Sequence, residues 1–123
     1  IVSLPSEARV RDLTPDFRDL AGVDVGEGVL GVSATAPGDD EADFVSRFFG
    51  PWVGVDEDPV TGSAHTALGP YWAEELGRST LRARQISPRG GSMAVRVEED
   101  RVHLVGRAVT VARGRIRTDG AAD

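Results

Sequence analysis

The sequence predicts an α+β domain in which one main helix is set among short strands. Three observations carry the prediction. Ala64, Ala67, Leu68, Tyr71, Trp72 and Leu76 recur at helical spacing and stop at Gly77, the pattern of an amphipathic helix ended by glycine. After that helix, Met93 to Val97 and Val102 to Val105 alternate apolar and polar residues, as strands with one buried face do. Before it, Val29 to Ala34 and Phe44 to Phe49 are apolar, β-prone runs bounded by glycine and proline. A chain of 123 residues has room for one hydrophobic core and not for two, so residues 1–123 read as a single lobe.

Taken in order, Ile1 to Pro5 is β-prone with no strand before it to pair with. Thr14 can cap a short helix with Pro15 at its first position, ending at Gly22. Val29 to Ala34 is then a buried strand. Asp39, Asp40, Glu41 and Asp43 lack the glycine and distal glutamate of a calcium loop and read as a solvated surface loop. Phe44 to Phe49 is a strand closed by Gly50-Pro51, with its phenylalanines in the core. The main helix runs from Ser63 to Leu76, and Pro70 inside it predicts a kink near Thr66, because proline supplies no N–H to the carbonyl four residues back. Leu81 to Ile86, Met93 to Val97, Val102 to Val105 and Val109 to Ala112 complete a β-meander. His103, between two apolar neighbours, points outward, and the tail from Thr118 is expected to fray. The chain has no initiator and its single methionine is the internal Met93, so it is expected to be a piece or a processed product.

The composition excludes several classes of chemistry. The basic residues number 14 against 20 acidic ones, giving net charge −6, and every basic residue is arginine. An acidic chain lacks the electrostatic footprint of a nucleic-acid binder, so no nucleic-acid partner is expected. With no lysine there is no Schiff-base amine or P-loop lysine, and with no cysteine there is no thiolate zinc site or thiol nucleophile. His65 and His103 are the only histidines, and no carboxylate spacing around them suggests a metal. No apolar run reaches membrane-spanning length, so a cytoplasmic protein with no membrane partner is expected.

The densest cluster of unusual residues is Asp56 to His65, placed between a strand and the start of the main helix. A helix N-terminus presents unpaired N–H groups and the positive end of the macrodipole, and Gly62 lets a bound anion come close to the backbone. Ser63 could cap the helix or donate its hydroxyl to the anion. Asp58, just before a proline turn, could exchange a proton with a substrate bound there. Plain capping explains the same residues equally well. A Ser63–His65 nucleophile pair is opposed by geometry, since residues two apart on a helix do not face each other and the G-x-S-x-G elbow is absent. A second candidate is Gln85 to Ser92, where Gly90 and Gly91 could form an amide nest and Arg89 could clamp a carboxylate. A glycine-rich hairpin connection is the alternative reading.

The series Glu57 to His65, Pro70-Tyr71-Trp72, Gln85 to Gly91, Val102 to Gly106 and Gly114 resembles the C-terminal half of the PhzF-like phenazine-biosynthesis protein family, over nearly the whole chain from Pro5 to Ile116. The resemblance implies a diaminopimelate-epimerase-like lobe, a mostly antiparallel curved sheet around one central helix, facing a second lobe across the active-site cleft. It implies isomerisation by moving a proton on a small, cyclic carboxylate, without metal or organic cofactor. Carried over by motif, Asp58 and Ser63 are the catalytic residues, and Gly62, Gly90 and Gly91 supply backbone anion contacts. His65 and Arg89 stand beside them as further substrate-binding residues. The family's acid/base glutamate lies in an N-terminal lobe that residues 1–123 do not include, so this chain alone is expected to be inactive. The expected partner is that missing lobe or a second copy of the chain in a homodimer. A binding or interaction protein that keeps the fold without turnover is the alternative.

Overall fold

The computed structural model describes residues 1–116. Its elements in chain order are β1 (Val2–Ser3), α1 (Glu7–Arg11), α2 (Phe17–Ala21), β2 (Val32–Pro37), β3 (Phe44–Gly50), a 3-10 turn at Pro51–Val53, β4 (Val55–Asp58), α3 (Gly62–Leu76), β5 (Thr80–Gln85), β6 (Gly91–Val97) and β7 (Val102–Val105). The strands form one sheet in the order β1-β2-β3-β5-β6-β7, with β4 also paired to β3. Pairs β1–β2 and β3–β5 are parallel and the others antiparallel. This is the α+β architecture read from the sequence, with α3 packed across β5, β6 and β7.

The core lies between α3 and the sheet. Leu68 and Trp72 of α3 meet Phe44, Leu81, Ala83 and Val95 of the strands. Each such large side chain contributes on the order of 1.5–3 kcal/mol by leaving water. Trp72 stacks on Phe44 with ring centroids 5.6 Å apart, and its indole N–H donates to Thr35 Oγ1 at 2.8 Å. Gly69 permits the close approach of helix and sheet, since a Cβ there would stand 2.8 Å from Val95 Cγ1. The opposite face of the sheet carries a smaller cluster in which Val10 of α1 packs on Ala36 and Val45.

Several elements differ from the sequence reading. Ile1 to Pro5 does find a partner, but downstream: β1 lies parallel to β2 with Val2 opposite Ala34. Helix α1, capped by the Ser6 side chain, is too short for periodicity to show. Helix α2 is capped by Asp16, whose carboxylate accepts from Arg18 N and Asp19 N at 3.0 Å each, rather than by Thr14, and it ends at Gly22 as expected. The strand expected at 29–34 is displaced to 32–37, because its register is fixed by β3, with Val32 opposite Phe49 and Pro37 opposite Phe44. Helix α3 begins one residue earlier than read, at Gly62, with Thr61 as N-cap, and passes unbroken through Pro70 to Gly77 in the left-handed conformation. Thr66 and Pro70 are both exposed, so the carbonyl that proline releases can face water.

The acidic loop is not simply solvated. Asp43 is nearly buried, accepts from the Arg82 backbone N–H and pairs with Arg78 and Arg82, while Glu41, Asp39 and Glu7 surround Arg84. Residues 106–116 contain no strand, which corrects the expectation at Val109 to Ala112. The alternation is present, but the segment does not return to the open edge of β7, and Val109 and Val111 are 85% and 93% exposed. The tail expected to fray lies outside the described residues. His103 does point outward, with Nε2 3.1 Å from Glu98.

Candidate active site

Two strands end head to head on the same edge of β3. Strand β5 runs parallel to its first half, with Gln85 opposite Ser46, and β4 runs antiparallel to its second half, with Asp58 opposite Phe48. The ends of both strands therefore meet beside Arg47, and the turn from Asp58 to Gly62 starts α3 there. Strand β4 carries three acids in four residues and has little intrinsic claim to be a strand. It is held by Glu57, which forms a two-pronged ion pair with Arg47 at 2.8 Å on each arm. Both partners are nearly buried, and the Glu57 carboxylate raises the Arg47 pKa above its ordinary value against the opposing effect of burial. Arg47 Nη1 also donates to the carbonyls of Val10, Arg11 and Leu13, so one guanidinium ties the end of α1 to the strand that presents Asp58.

Asp58 is half-buried and its Oδ2 accepts from the Thr61 hydroxyl. Gln85, 1% exposed, stitches the turn together. Its Oε1 accepts from Thr61 N at 2.8 Å, and its Nε2 donates to the Asp58 carbonyl at 2.7 Å and to Thr61 Oγ1 at 3.0 Å. Drawn to Asp58, the Thr61 hydroxyl makes no capping bond, and no side chain among the described residues caps the first turn of α3. The positive end of the 15-residue helix is thereby left uncapped at Gly62 and Ser63, both exposed. Of the two readings of Ser63, capping is set aside: it lies two residues past the N-cap Thr61, and its side chain has no hydrogen-bond partner among the described residues.

A Cβ at Gly62 would meet only Leu104 Cδ1, at 3.8 Å, so packing within this chain does not require glycine there. Gly62 opens onto a cleft of about 910 Å³ lined also by Val60, Arg89, Gly90, Gly91 and Leu104. The structure thus brings together Gly62, Arg89, Gly90 and Gly91, while Asp58 and Ser63 do not line this cleft. Arg89 is exposed and has no ion-pair partner among the described residues. The glycine pair does not form a fully open nest. Gly90, at φ +68°, donates its N–H to Ser87 Oγ at 3.0 Å, and Ser87 in turn donates to the Pro59 carbonyl at 2.7 Å. Gly91 is there for packing: a Cβ would stand 2.5 Å from Val60 Cγ2.

His65 is fully buried beneath α3, with its ring 6.0 Å from Phe44, and touches no open cleft in this chain. Its Nδ1 lies 2.7 Å from the Thr61 carbonyl, which can only accept, so Nδ1 carries the hydrogen. Burial lowers its pKa below the ordinary value while the Thr61 carbonyl opposes the shift, and neutral His65 serves as a brace under Thr61. Its spacing from Leu68 and Trp72 puts it on the buried face of α3, and not, as expected of a substrate-binding residue, on a surface of this chain open to substrate. Thr61, Gln85, Arg47 and Glu57 were not singled out. Only the motif stretches containing Thr61, Glu57 and Gln85 pointed toward them. Among the described residues no group of three or more His, Asp or Glu side chains is placed to hold a metal ion, and no helix is long and apolar enough to cross a membrane.

A mixed sheet packed against one long helix is the α+β architecture of the diaminopimelate-epimerase-like fold. The chain belongs to the PhzC-PhzF family of phenazine biosynthesis-like proteins, whose family model matches residues 1–114. It is 53% identical over 117 residues to an uncharacterized isomerase of Pseudomonas aeruginosa, a match covering 95% of this chain and 43% of that protein. It is 45% identical over 116 residues to an uncharacterized isomerase of Halalkalibacterium halodurans, covering 94% of this chain and 43% of the relative. A crystal structure of a PhzF-family protein from Enterococcus faecalis superposes with a TM-score of 0.82 at 47% identity, over 89% of this chain and 41% of that one. The chain thus spans less than half the length of these relatives.

Proposed function

We propose that this chain supplies half of the active site of a cofactor-independent isomerase that moves a proton on a small, cyclic carboxylate. One observation carries the reading: the Asp58 carboxylate is fixed by the Thr61 hydroxyl immediately beside a helix end left without a cap. The open N–H groups and the unpaired Arg89 hold the substrate's carboxylate, and Gly62 lets it approach the backbone. Asp58 gives or takes the proton, and Ser63 hydrogen-bonds the substrate from the first turn of α3. A second acid or base completes the reaction from another lobe or a second copy of this chain. Val105, Val109, Val111 and Ile116, large apolar side chains each mostly exposed to water, support such a partner.

The test is Asp58→Asn in the full-length protein, assayed on a panel of small cyclic carboxylic acids. Turnover collapses while carboxylate binding survives. A protein that binds these acids and never turns one over is a binding module, and the isomerase reading falls.

A further inference from the structure

The polar atoms of Thr61 are all engaged by side chains, and each hydrogen can be placed without choice. The Thr61 backbone N–H can only donate, so the Gln85 atom facing it at 2.8 Å is the amide oxygen. The Asp58 carbonyl can only accept, so the Gln85 atom facing it at 2.7 Å is the amide nitrogen. That nitrogen has a second hydrogen, and Thr61 Oγ1 stands 3.0 Å away to receive it. The hydroxyl then has its own hydrogen left to give, and its acceptor is Asp58 Oδ2. Neutral His65 donates to the Thr61 carbonyl and fixes the remaining atom. With Gln85 at 1% and Thr61 at 8% exposure, little bulk water competes for these bonds.

The geometry points to Gln85 as a positioning residue: it aims the Thr61 hydroxyl at Asp58 Oδ2, so the proton that Asp58 exchanges with substrate is carried on Oδ1. Resting on the isomerase reading, this assigns the direction of the hydrogen bonds behind the catalytic carboxylate. Oδ2, already accepting a hydrogen, is a poor seat for a second, and Oδ1 is the oxygen left for the reaction. The same amide keeps the hydroxyl off the helix end. An N-cap threonine ordinarily accepts from the first-turn N–H groups; here the hydroxyl is turned to Gln85 and Asp58, makes no bond to them, and the N–H groups stay open for the substrate.

A purely structural role would have Gln85 do no more than stitch β5 to the turn before α3. Gln85→Glu separates the two, being nearly the same shape and keeping the acceptor for Thr61 N–H. The introduced carboxylate donates nothing and draws the Thr61 hydroxyl to itself, leaving Asp58 without its donor. In the full-length protein, with benzoate as an unreactive binding probe and the fastest-turning member of the acid panel as substrate, kcat falls by roughly 100-fold or more. KM and benzoate affinity stay close to wild type, while the melting temperature falls, because the introduced carboxylate is buried and faces the Asp58 carbonyl with no hydrogen to donate. Thr61→Val likewise loses turnover and Thr61→Ser restores most of it. Unchanged kcat in Gln85→Glu or in Thr61→Val overturns the proposal, as does a fall in kcat in Thr61→Val matched by a rise in KM.

The side-chain amide of Gln85 gives a readout independent of turnover. In the nitrogen–proton NMR spectrum both of its hydrogens are slow to exchange, and Thr61→Val moves one of them upfield as its acceptor disappears. A spectrum unaffected by Thr61→Val overturns the hydrogen-bond assignment. If the NMR result holds while wild type turns over no acid in the panel, it is the isomerase reading that has failed.

Discussion

Replacing Arg47 by methionine removes a nearly buried guanidinium and leaves the Glu57 carboxylate, also nearly buried, without its counter-ion. Two 2.8 Å charge-assisted bonds are lost, together with the donor shared by the Val10, Arg11 and Leu13 carbonyls and the cation placed 5.0 Å over the Phe49 ring. Breaking a buried pair from one side costs about 3–5 kcal/mol, because one charge stays behind with nothing to balance it. Against a total stability of roughly 5–15 kcal/mol for a domain, that is a large share. At about 4 °C per kcal/mol for a domain near this size, the melting temperature falls by roughly 12–20 °C. Removing both charges, as Arg47→Met with Glu57→Leu, is milder than the single change, since no charge is left unpaired. Urea and thermal unfolding of the four members of the cycle measure the coupling. An Arg47→Met protein within about 1 kcal/mol of wild type would refute the clamp, as would strictly additive effects of the two substitutions.

Three further outcomes are expected. Burial works to raise the Asp43 pKa, but the Arg82 backbone N–H and the guanidinium groups of Arg78 and Arg82 prevail and lower it from 3.8 to about 2. Stability from Asp43 is therefore present in full above about pH 4 and lost as pH falls toward 2, and acid titration followed by circular dichroism shows Asp43→Asn to be flatter in that window. His65 acts in a separate range: burial depresses its folded pKa, so the unfolded chain takes the proton more readily, and stability declines as pH drops below about 6.5. His65→Asn, which keeps a donor for Thr61, removes that slope in urea titrations between pH 7 and 5. Two glycines of α3 give opposite results on substitution by alanine. Gly69→Ala costs about 1–3 kcal/mol through the 2.8 Å approach to Val95, whereas Gly62→Ala leaves the melting temperature within a degree or two and weakens carboxylate binding measured by calorimetry.

Helix α3 was legible because its apolar spacing, its glycine stop and its packing face agree, and β6 and β7 because alternation and burial agree. The neighbouring failures have physical causes. Val29 and Leu30 are apolar yet exposed, since the position of β2 is decided by its register with β3 and not by where the apolar run starts. Strand β4 was not read as a strand, three of its four residues being acidic, and only the half-empty edge of β3 and the cation of Arg47 make a strand of it. Val109 to Ala112 shows the reverse case, a sound β pattern that pairs with no strand among the described residues, although the outer edge of β7 is open. At the site, Asp58, Gly62 and Ser63 were visible because a carboxylate and a glycine before a helix are unusual enough to mark chemistry. Gln85 was not, because an uncharged amide in a strand gives no local sign that it will meet Thr61, 24 positions away in the chain. His65 was recognised by its motif, which says nothing about the face of the helix it occupies, and the fold places it underneath.

The most direct test of the account is hydrogen exchange catalysed on the substrate itself. The full-length protein and its Asp58→Asn variant are incubated with the acid panel in deuterium oxide, and deuterium entering the ring carbons is followed by proton NMR. The account predicts incorporation by wild type at one ring carbon, with a rate roughly 100-fold or more lower in Asp58→Asn at equal carboxylate occupancy. Equal exchange by the two proteins would remove Asp58 from the chemistry and contradict the assignment of this helix end as half of a proton-transfer site.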